Sequence, residues 1–501
     1  MSSRRVLLVN PQITSARRAR FPLSLLTMAG SLEEAGHDSA IVDGNLESDG
    51  VAATLRALDA ASYDAVGITV MGGPQVQTAI DVSQAIRAHS PATPIVWGGY
   101  FPTLYPDAAI NAPYVDYAVR GQGEETFTRL LQLLPAGSPD ELGTVEGLTW
   151  RHAGEIVHNR DRRFSPLRPT TLPYEKLLDP RKYLPHTFMG RRTAAYQASL
   201  GCRFRCTFCG VASMFRGATA LPAAERLDRD LTYLRDTIGA DSIQFYDHNF
   251  FDREEDMLPL LEVLAHHALP WWCYARADAL LNLSARGWAL VRKSQMRMAY
   301  IGAESANDAL LRSIRKGTRS DQTTAVAELC RRNGVVPELS FMVAPPQDPE
   351  GETERTFEFI RGIKRINPDA EIIVYIHTPL PPESVPGSIR SRVKPLLDCA
   401  GRPVVFPKTP EEWTQPHWVA YSCHADAPWM TDRLRRRIRD FVTVLTCRFP
   451  TLQDTRAGPL TKAALRKVAA WRYRYRKYDR PWELTLSKKL VRLIDPRVTS
   501  L

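Results

Sequence analysis

The sequence has no long apolar run and few cysteines. No apolar stretch reaches the roughly 18 residues that a membrane span needs, and no basic start followed by an apolar core opens the chain. We therefore expect neither a spanning segment nor a secretory leader. The 8 cysteines are irregularly spaced and contain no second C-x-x-C pair. This pattern excludes a dense disulfide framework and favours a reducing cytoplasm.

Acidic residues are scarce near the C-terminus only. The formal net charge is +10, and residues 431–501 hold 19 Lys and Arg against 6 Asp and Glu. The first 430 residues hold 46 basic against 49 acidic residues, so they are almost neutral. The basic character therefore belongs to the C-terminal region. The length of 501 residues predicts about three domains.

The first 135 residues alternate predicted strands and helices, as a parallel, doubly wound, flavodoxin-like α/β sheet does. Three strands end in glycine-rich turns, which let the backbone approach a bulky ligand closely. In such sheets ligands bind at the carboxyl ends of the strands. The predicted strands are Arg5–Asn10, Ser39–Asp43, Asp64–Val70, Pro94–Trp97 and Asp116–Val119.

Three further segments follow this first domain, which we place at residues 1–140. Residues 141–193 are predicted to be a connector, with a short hairpin around Ala153-Gly154 and a stretch rich in Pro and Arg. From 194 to 405 the alternation resumes with about six strands. Residues 406–501 are predicted to be helical, basic and rich in aromatic residues.

Three cysteines, Cys202, Cys206 and Cys209, have the spacing C-x-x-x-C-x-x-C. Three thiolates are one fewer than a cluster of four irons and four sulfides needs, so one iron is left open. The alternatives are buried thiols or a zinc site completed by His248 or another distant ligand. Zinc sites usually combine two C-x-x-C pairs, or one pair with two histidines. Since the other five cysteines form no such pair, we favour the cluster.

This cysteine segment closely resembles the cluster loop of the radical S-adenosylmethionine (SAM) superfamily. The resemblance implies a partial (β/α)6 barrel over residues 194–405. It also implies that the open iron binds the amino and carboxylate groups of SAM. An electron from the cluster, supplied by a donor such as flavodoxin or ferredoxin, then cleaves SAM to a 5′-deoxyadenosyl radical. Phe208 is expected to pack beside the adenine.

Two further residues match positions of the same family, and a third, Arg276, stands at the end of the third barrel strand. Asp247 resembles the acceptor of the SAM ammonium group, Arg276 is placed to pair with a carboxylate, and Glu304 resembles the ligand of the ribose hydroxyls. The alternatives are a turn or cap aspartate, a surface ion pair and a strand-end ion pair, respectively. The string Phe341–Pro346 departs from the family's fifth strand and receives no assignment. We assign no catalytic residue.

The first domain resembles the cobalamin-binding domain that precedes many of these enzymes. The chain lacks G-x-G-x-x-G after its first strand, so a dinucleotide site is unsupported. It also lacks D-x-H-x-x-G, which implies that no histidine lies beneath the cobalt. The alternative is a nucleotide-binding or purely structural domain. The residues expected to contact cobalamin are Met71, Gly72, Gly73, Gly98, Gly99, Tyr100, Gly121, Gly123 and Glu124.

The C-terminal region interleaves aromatic and basic residues in Trp471–Tyr478 and in Trp482–Leu493. Such a segment can lie on an anionic membrane surface or on nucleic acid. No RNA-binding module accompanies it, so we expect no nucleic acid. The simplest alternative is a solvated helix whose aromatic residues cap the barrel.

Together these resemblances imply a cobalamin-dependent radical SAM methyltransferase that acts on an unactivated carbon of a small molecule. One SAM would methylate the cobalt, and a second would yield the radical that removes a substrate hydrogen. The runner-up is an anaerobic ring-forming cyclase of tetrapyrrole synthesis, which transfers no methyl group. A third possibility is a first domain that binds no corrin.

Overall fold

The computed structural model of the chain describes residues 3–134, 137–166, 169–381, 395–452 and 459–486. These residues form two large sheets with helices against them, followed by a helical C-terminal region. The predicted α/β fold class is therefore confirmed.

The first sheet has seven strands in the order β2-β1-β3-β4-β5-β6-β7. The strands β1 to β5 are parallel, in the flavodoxin-like order 2-1-3-4-5. The run Val6–Val9 is buried on both faces, as expected of a central parallel strand covered by helices. The strands are β1 (Arg5–Asn10), β2 (Asp38–Asp43), β3 (Ala65–Thr69), β4 (Ile95–Gly98), β5 (Tyr117–Val119), β6 (Leu148–His152) and β7 (Glu155–His158).

The hairpin β6–β7, expected within a connector, extends this sheet instead. Strand β6 pairs antiparallel with β5. Arg120, which is 3% exposed, fastens the hairpin by donating to the carbonyl oxygens of Leu148 (2.9 Å) and Asn159 (2.6 Å) and by pairing with Asp161 (3.0 Å). Because Arg120 directly follows β5, these contacts fix the turn after β5 to the hairpin.

The second sheet has six parallel strands in the order β15-β14-β13-β12-β11-β8, which is an open barrel of six strands as expected. A short antiparallel pair, β9 and β10, flanks the cysteine loop. The strands are β8 (Thr193–Tyr196), β9 (Leu200–Gly201), β10 (Thr219–Ala220), β11 (Ser242–Phe245), β12 (Trp271–Ala275), β13 (Met296–Glu304), β14 (Val336–Val343) and β15 (Glu371–Ile376).

The helices alternate with these strands. Those of the first domain are α1 (Leu23–Glu34), α2 (Gly50–Ala60), α3 (Gln75–His89), α4 (Tyr100–Leu104), α5 (Pro106–Ile110), α6 (Glu124–Leu133) and α7 (Pro139–Gly143). Those of the barrel are α8 (Gly210–Phe215), α9 (Ala224–Tyr233), α10 (Glu254–His267), α11 (Ala277–Leu281), α12 (Ala285–Lys293), α13 (Asp308–Ser313), α14 (Ser320–Asn333) and α15 (Pro349–Ile366). The remaining ones are α16 (Pro410–Trp413), α17 (Pro416–Ser422), α18 (Asp432–Arg448) and α19 (Pro459–Arg474).

The C-terminal helices pack on the barrel. The rings of Phe357 in α15 and Phe441 in α18 stack with centroids 3.7 Å apart. The part of Trp482–Leu493 beyond Leu486 lies outside the described residues. Among the helices that the structure describes, none combines the length and the apolar character that crossing a bilayer requires.

Candidate functional site

The three cysteines lie in the loop between β9 and α8. Gly201 precedes them with a φ of +72°, and a Cβ there would be 2.3 Å from the carbonyl oxygen of Ala218, so only glycine fits this turn. The loop is fixed to the end of α13, because the N–H of Thr207 donates to the carbonyl oxygen of Ile314 at 3.0 Å.

The three thiols are buried or half-buried in the protein. Burial raises the pKa of Cys202, and it raises the pKa of Cys209 to about 11. The charge of Cys206 further raises the pKa of both Cys202 and Cys209, and the charge of Lys316 opposes this rise. Metal binding would compensate for the unfavourable burial of the thiolates, with a nearby cation to assist. The donor set therefore fits a cluster held by three cysteines.

A zinc site, unlike a cluster, needs its ligands grouped around one metal ion. Within the described ranges, no three His, Cys, Asp or Glu side chains are grouped so as to hold one metal ion. His248, the zinc ligand considered above, has its ring centroid 5.0 Å from that of Phe215. Burial lowers the pKa of His248 to about 4.

Glu304 ends β13 and forms an ion pair with Lys316 at 2.7 Å, with only 8% of each side chain exposed. Its φ is +62°, and the register with β14 shifts between Gly302 and Glu304. A left-handed, non-glycine residue at a strand end stores backbone strain, which proteins tend to keep at functional sites. The predicted contact with ribose stays a prediction, and the strand-end ion pair considered as its alternative is present. Sequence reasoning did not select Lys316.

The guanidinium group of Arg276 is occupied by protein groups. It binds both carboxylate oxygens of Asp278, at 3.0 and 2.9 Å, and donates to the carbonyl oxygen of Lys316 at 2.8 Å. Its face lies 3.5 Å from the ring centroid of Phe204, inside the cysteine loop. Arg276 thus supports that loop. Its expected pairing with a ligand carboxylate stays a prediction. Sequence reasoning also missed Phe204, although an aromatic residue between two ligand cysteines is a signal.

Asp247 is fully buried at the end of β11. Its carboxylate accepts hydrogen bonds from the backbone N–H groups of Ala198, at 3.1 Å, and Ser199. These residues lead from β8 into the cysteine loop, so Asp247 positions that segment. Its predicted contact with the ammonium group of SAM stays a prediction.

Phe208 packs against a small apolar cluster formed by Leu311, Ile314 and Met342. Its ring meets the edge of His377, with centroids 6.4 Å apart. His377 is 4% exposed and its Nδ1 has no hydrogen-bond partner among the described residues. Burial lowers its pKa to about 4, with a smaller contribution from His424, so its imidazole is neutral at physiological pH. Sequence reasoning gave His377 no role.

The predicted cobalamin residues come together at one edge. Strands β3, β4 and β5 are neighbours, so the turns that follow them are adjacent. A Cβ built on Gly98 would meet no atom within 4 Å, whereas Gly99 and Gly121 have φ values of +95° and +71°. Glu124 begins α6. The open space beside Gly98 gives a large flat ligand close access to the backbone there. The contact of these residues with a corrin stays a prediction.

This edge faces the cysteine loop and the end of α17. A Cβ on Gly121 would be 3.3 Å from the carbonyl oxygen of Met214 in α8, and one on Gly73 would be 2.8 Å from Cys423 Sγ. The ring of Tyr100 lies on Gly210, the residue after Cys209. The glycine turns and the cysteine loop therefore adjoin one another.

The structure thus brings the glycine turns of a flavodoxin-like sheet next to a three-cysteine loop on an open six-stranded barrel, as expected of a radical SAM enzyme with a cobalamin-binding domain. Comparison with known families agrees. The B12 binding domain matches residues 13–131, and the Radical SAM superfamily matches residues 196–360. These two matches together cover more than half of the chain. The chain therefore joins a B12-binding domain to a domain of the Radical SAM superfamily, which assigns cobalamin and SAM as its cofactors.

Individual relatives are distant. An uncharacterized methyltransferase of Pyrococcus horikoshii is 26% identical over 72% of this chain and 79% of its own length. The anaerobic magnesium-protoporphyrin IX monomethyl ester cyclase of Synechocystis sp. is 23% identical over 71% of this chain and 70% of its own. The structure of the radical SAM methyltransferase TsrM from Kitasatospora setae, with cobalamin and a 4Fe–4S cluster bound, superposes with a TM-score of 0.62. It covers 95% of this chain and 100% of TsrM at 16% identity, which is a likeness of fold.

Proposed function

We propose that this protein is a cobalamin-dependent radical SAM methyltransferase that adds a methyl group to an unactivated carbon of a small molecule. The observation that carries the proposal is the contact between the turn after β4 and the residue after Cys209, because methyl transfer to a carbon radical requires both cofactors to face one pocket. The methyltransferase of Pyrococcus horikoshii and TsrM support the choice of reaction.

We assign each cofactor a set of residues in this chain. Cys202, Cys206 and Cys209 hold the cluster, and Phe208 and Glu304 bind SAM. The three glycine turns hold the corrin. When bound, the cluster and SAM supply the adenosyl radical, and cobalamin supplies the methyl group.

The surrounding side chains position these groups. Asp247 orients the segment that enters the cysteine loop, Arg276 fixes the loop through Phe204, and Lys316 offsets negative charge beside it. The apolar cluster around Phe208 excludes water from the place where SAM is expected. The electrons come from an external donor such as flavodoxin or ferredoxin.

The cofactor assignment is tested by measuring iron, sulfide and cobalt in protein purified and reconstituted without oxygen. We expect Cys206→Ala to lose the cluster and Cys273→Ala, a buried cysteine elsewhere in the barrel, to retain it. Equal iron contents in the two variants would contradict the assignment of the cysteine loop.

The reaction is tested with SAM that carries a deuterated methyl group. Methylation predicts that the label reaches cobalamin and then the product. The second candidate function, a radical cyclase, is favoured by the likeness to the Synechocystis enzyme. It predicts 5′-deoxyadenosine without label in the product, an outcome that would replace the methyltransferase proposal.

A further inference from the structure

The end of the described chain presents large apolar side chains to solvent. Residues 468, 471 and 475 lie three and four positions apart, and residues 482 and 486 lie four apart, so each set shares one helical face. We call these five residues the aromatic stripe. They and their exposed fractions are Val468 (44%), Trp471 (57%), Tyr475 (56%), Trp482 (70%) and Leu486 (53%).

The other side of the same segment is anchored to the protein. Tyr478 is 1% exposed, its ring meets the edge of Phe441 at 5.0 Å, and its hydroxyl accepts a hydrogen bond from Arg361 at 2.6 Å. Arg472 pairs with Glu483 at 2.9 Å, which joins the two parts of the stripe. The stripe is therefore presented by an ordered segment with a buried reverse side.

Positive charge accompanies the stripe. Residues 465–486 hold seven Lys and Arg against two Asp and Glu. Arg466, Lys467, Arg474 and Lys477 are exposed, and in the part of the chain that the structure describes none of them pairs with a carboxylate. A surface with anionic groups on the outside and an apolar layer below them would attract both these four bases and the aromatic side chains.

We propose that the aromatic stripe, with these four bases, seats the enzyme on an anionic lipid bilayer. Trp and Tyr rings favour the interface between headgroups and acyl chains, and Lys and Arg are attracted to anionic headgroups. The contact is peripheral, with the stripe at headgroup depth. This inference concerns a surface apart from the cofactor site and does not depend on the reaction that the enzyme catalyses.

The test uses the full-length protein with its cofactors and two kinds of vesicle, phosphatidylcholine alone and phosphatidylcholine with an equal amount of phosphatidylglycerol. We expect sedimentation with the mixed vesicles only. Since one base near the surface contributes about fivefold in affinity, the Arg474→Gln/Lys477→Gln variant should bind at least roughly tenfold more weakly. Trp471→Ser/Trp482→Ser should bind more weakly still. The matched control is Leu178→Ser/Val405→Ser, which removes two exposed apolar side chains elsewhere.

Three outcomes would overturn the proposal. The first is no sedimentation with the mixed vesicles, and the second is equal sedimentation with both kinds. The third is a Trp471→Ser/Trp482→Ser variant that binds as the wild type does. If the wild type instead forms a dimer that this variant dissociates, and binds no vesicle, the stripe is an interface between copies of the chain. SAM cleavage by the variants in vesicle-free solution should equal that of the wild type, which confirms intact folding.

Discussion

The ring of Tyr100 lies directly on the backbone of Gly210. A Cβ built on Gly210 would be 2.3 Å from the hydroxyl oxygen of Tyr100 and 2.5 Å from its ring. Tyr100 follows the glycine turn after β4, and Gly210 follows the third cysteine of the cluster loop. This contact therefore joins the proposed cobalamin edge to the proposed cluster loop.

The Tyr100–Gly210 contact predicts a suppressor pair. Gly210→Ala should displace the ring, weaken cobalamin binding and alter the electron paramagnetic resonance spectrum of the reduced cluster. In Tyr100→Ala/Gly210→Ala the missing tyrosine ring leaves room for the alanine side chain at position 210. The cluster spectrum should therefore return toward that of the wild type. Equal damage in Gly210→Ala and in the double variant would contradict steric contact as the cause.

The ion pair between Glu304 and Lys316 predicts a non-additive stability effect. Lys316→Met leaves the Glu304 carboxylate buried without its partner, which costs roughly 3–5 kcal/mol of stability. Glu304→Gln/Lys316→Met removes both charges and should be more stable than Lys316→Met. The measurement is thermal unfolding of the wild type, Lys316→Met, Glu304→Gln and the double variant, since non-additivity is defined over all four. If Glu304 also binds ribose, the double variant should still have lost affinity for SAM in equilibrium dialysis.

Asp247 is proposed to position the segment before the cysteine loop and to contact the ammonium group of SAM. One variant separates these two roles. Asp247→Asn replaces a carboxylate oxygen with an NH2 group that faces a backbone N–H, so a hydrogen bond to Ala198 or Ser199 is lost. We expect a lower melting temperature even without SAM, by the stability equivalent of about 1–3 kcal/mol. An unchanged melting temperature together with weaker SAM binding would contradict the positioning role and support only the contact with SAM.

The lowered pKa of the buried His377 predicts that the folded protein loses stability in acid. Its pKa is about 4 in the folded protein and about 6.5 in an unfolded chain, so the unfolded state binds more protons between these values. Stability is therefore lost as the pH falls from about 6.5 toward 4, by about 2 kcal/mol for this group between about pH 7 and 5. Melting temperatures of the wild type and His377→Gln at both pH values test this. The variant should lose less stability on acidification.

Sequence reasoning anticipated the elements that depend on short stretches of chain. The strand Arg5–Asn10 has the predicted bounds, because an apolar run and the turn residues after it specify it locally. Strand β4 (Ile95–Gly98) ends one residue later than the expected Pro94–Trp97, since its pairing with β3 continues to Gly98. The hairpin around Ala153-Gly154 was recognised, but its place on the first sheet depends on pairing with a distant strand.

The sequence by itself determined the class of chemistry, because three thiols at fixed spacing and three glycine turns after successive strands are properties of contiguous residues. Only the tertiary structure decided the partners of the charged side chains. Phe204 lies against the Arg276 guanidinium group, Lys316 meets Glu304 across twelve residues, and Tyr100 reaches Gly210 across one hundred and ten. Such pairings follow from how separate strands and loops are brought together, within the barrel and between the two sheets, and no local pattern of residue types encodes that arrangement.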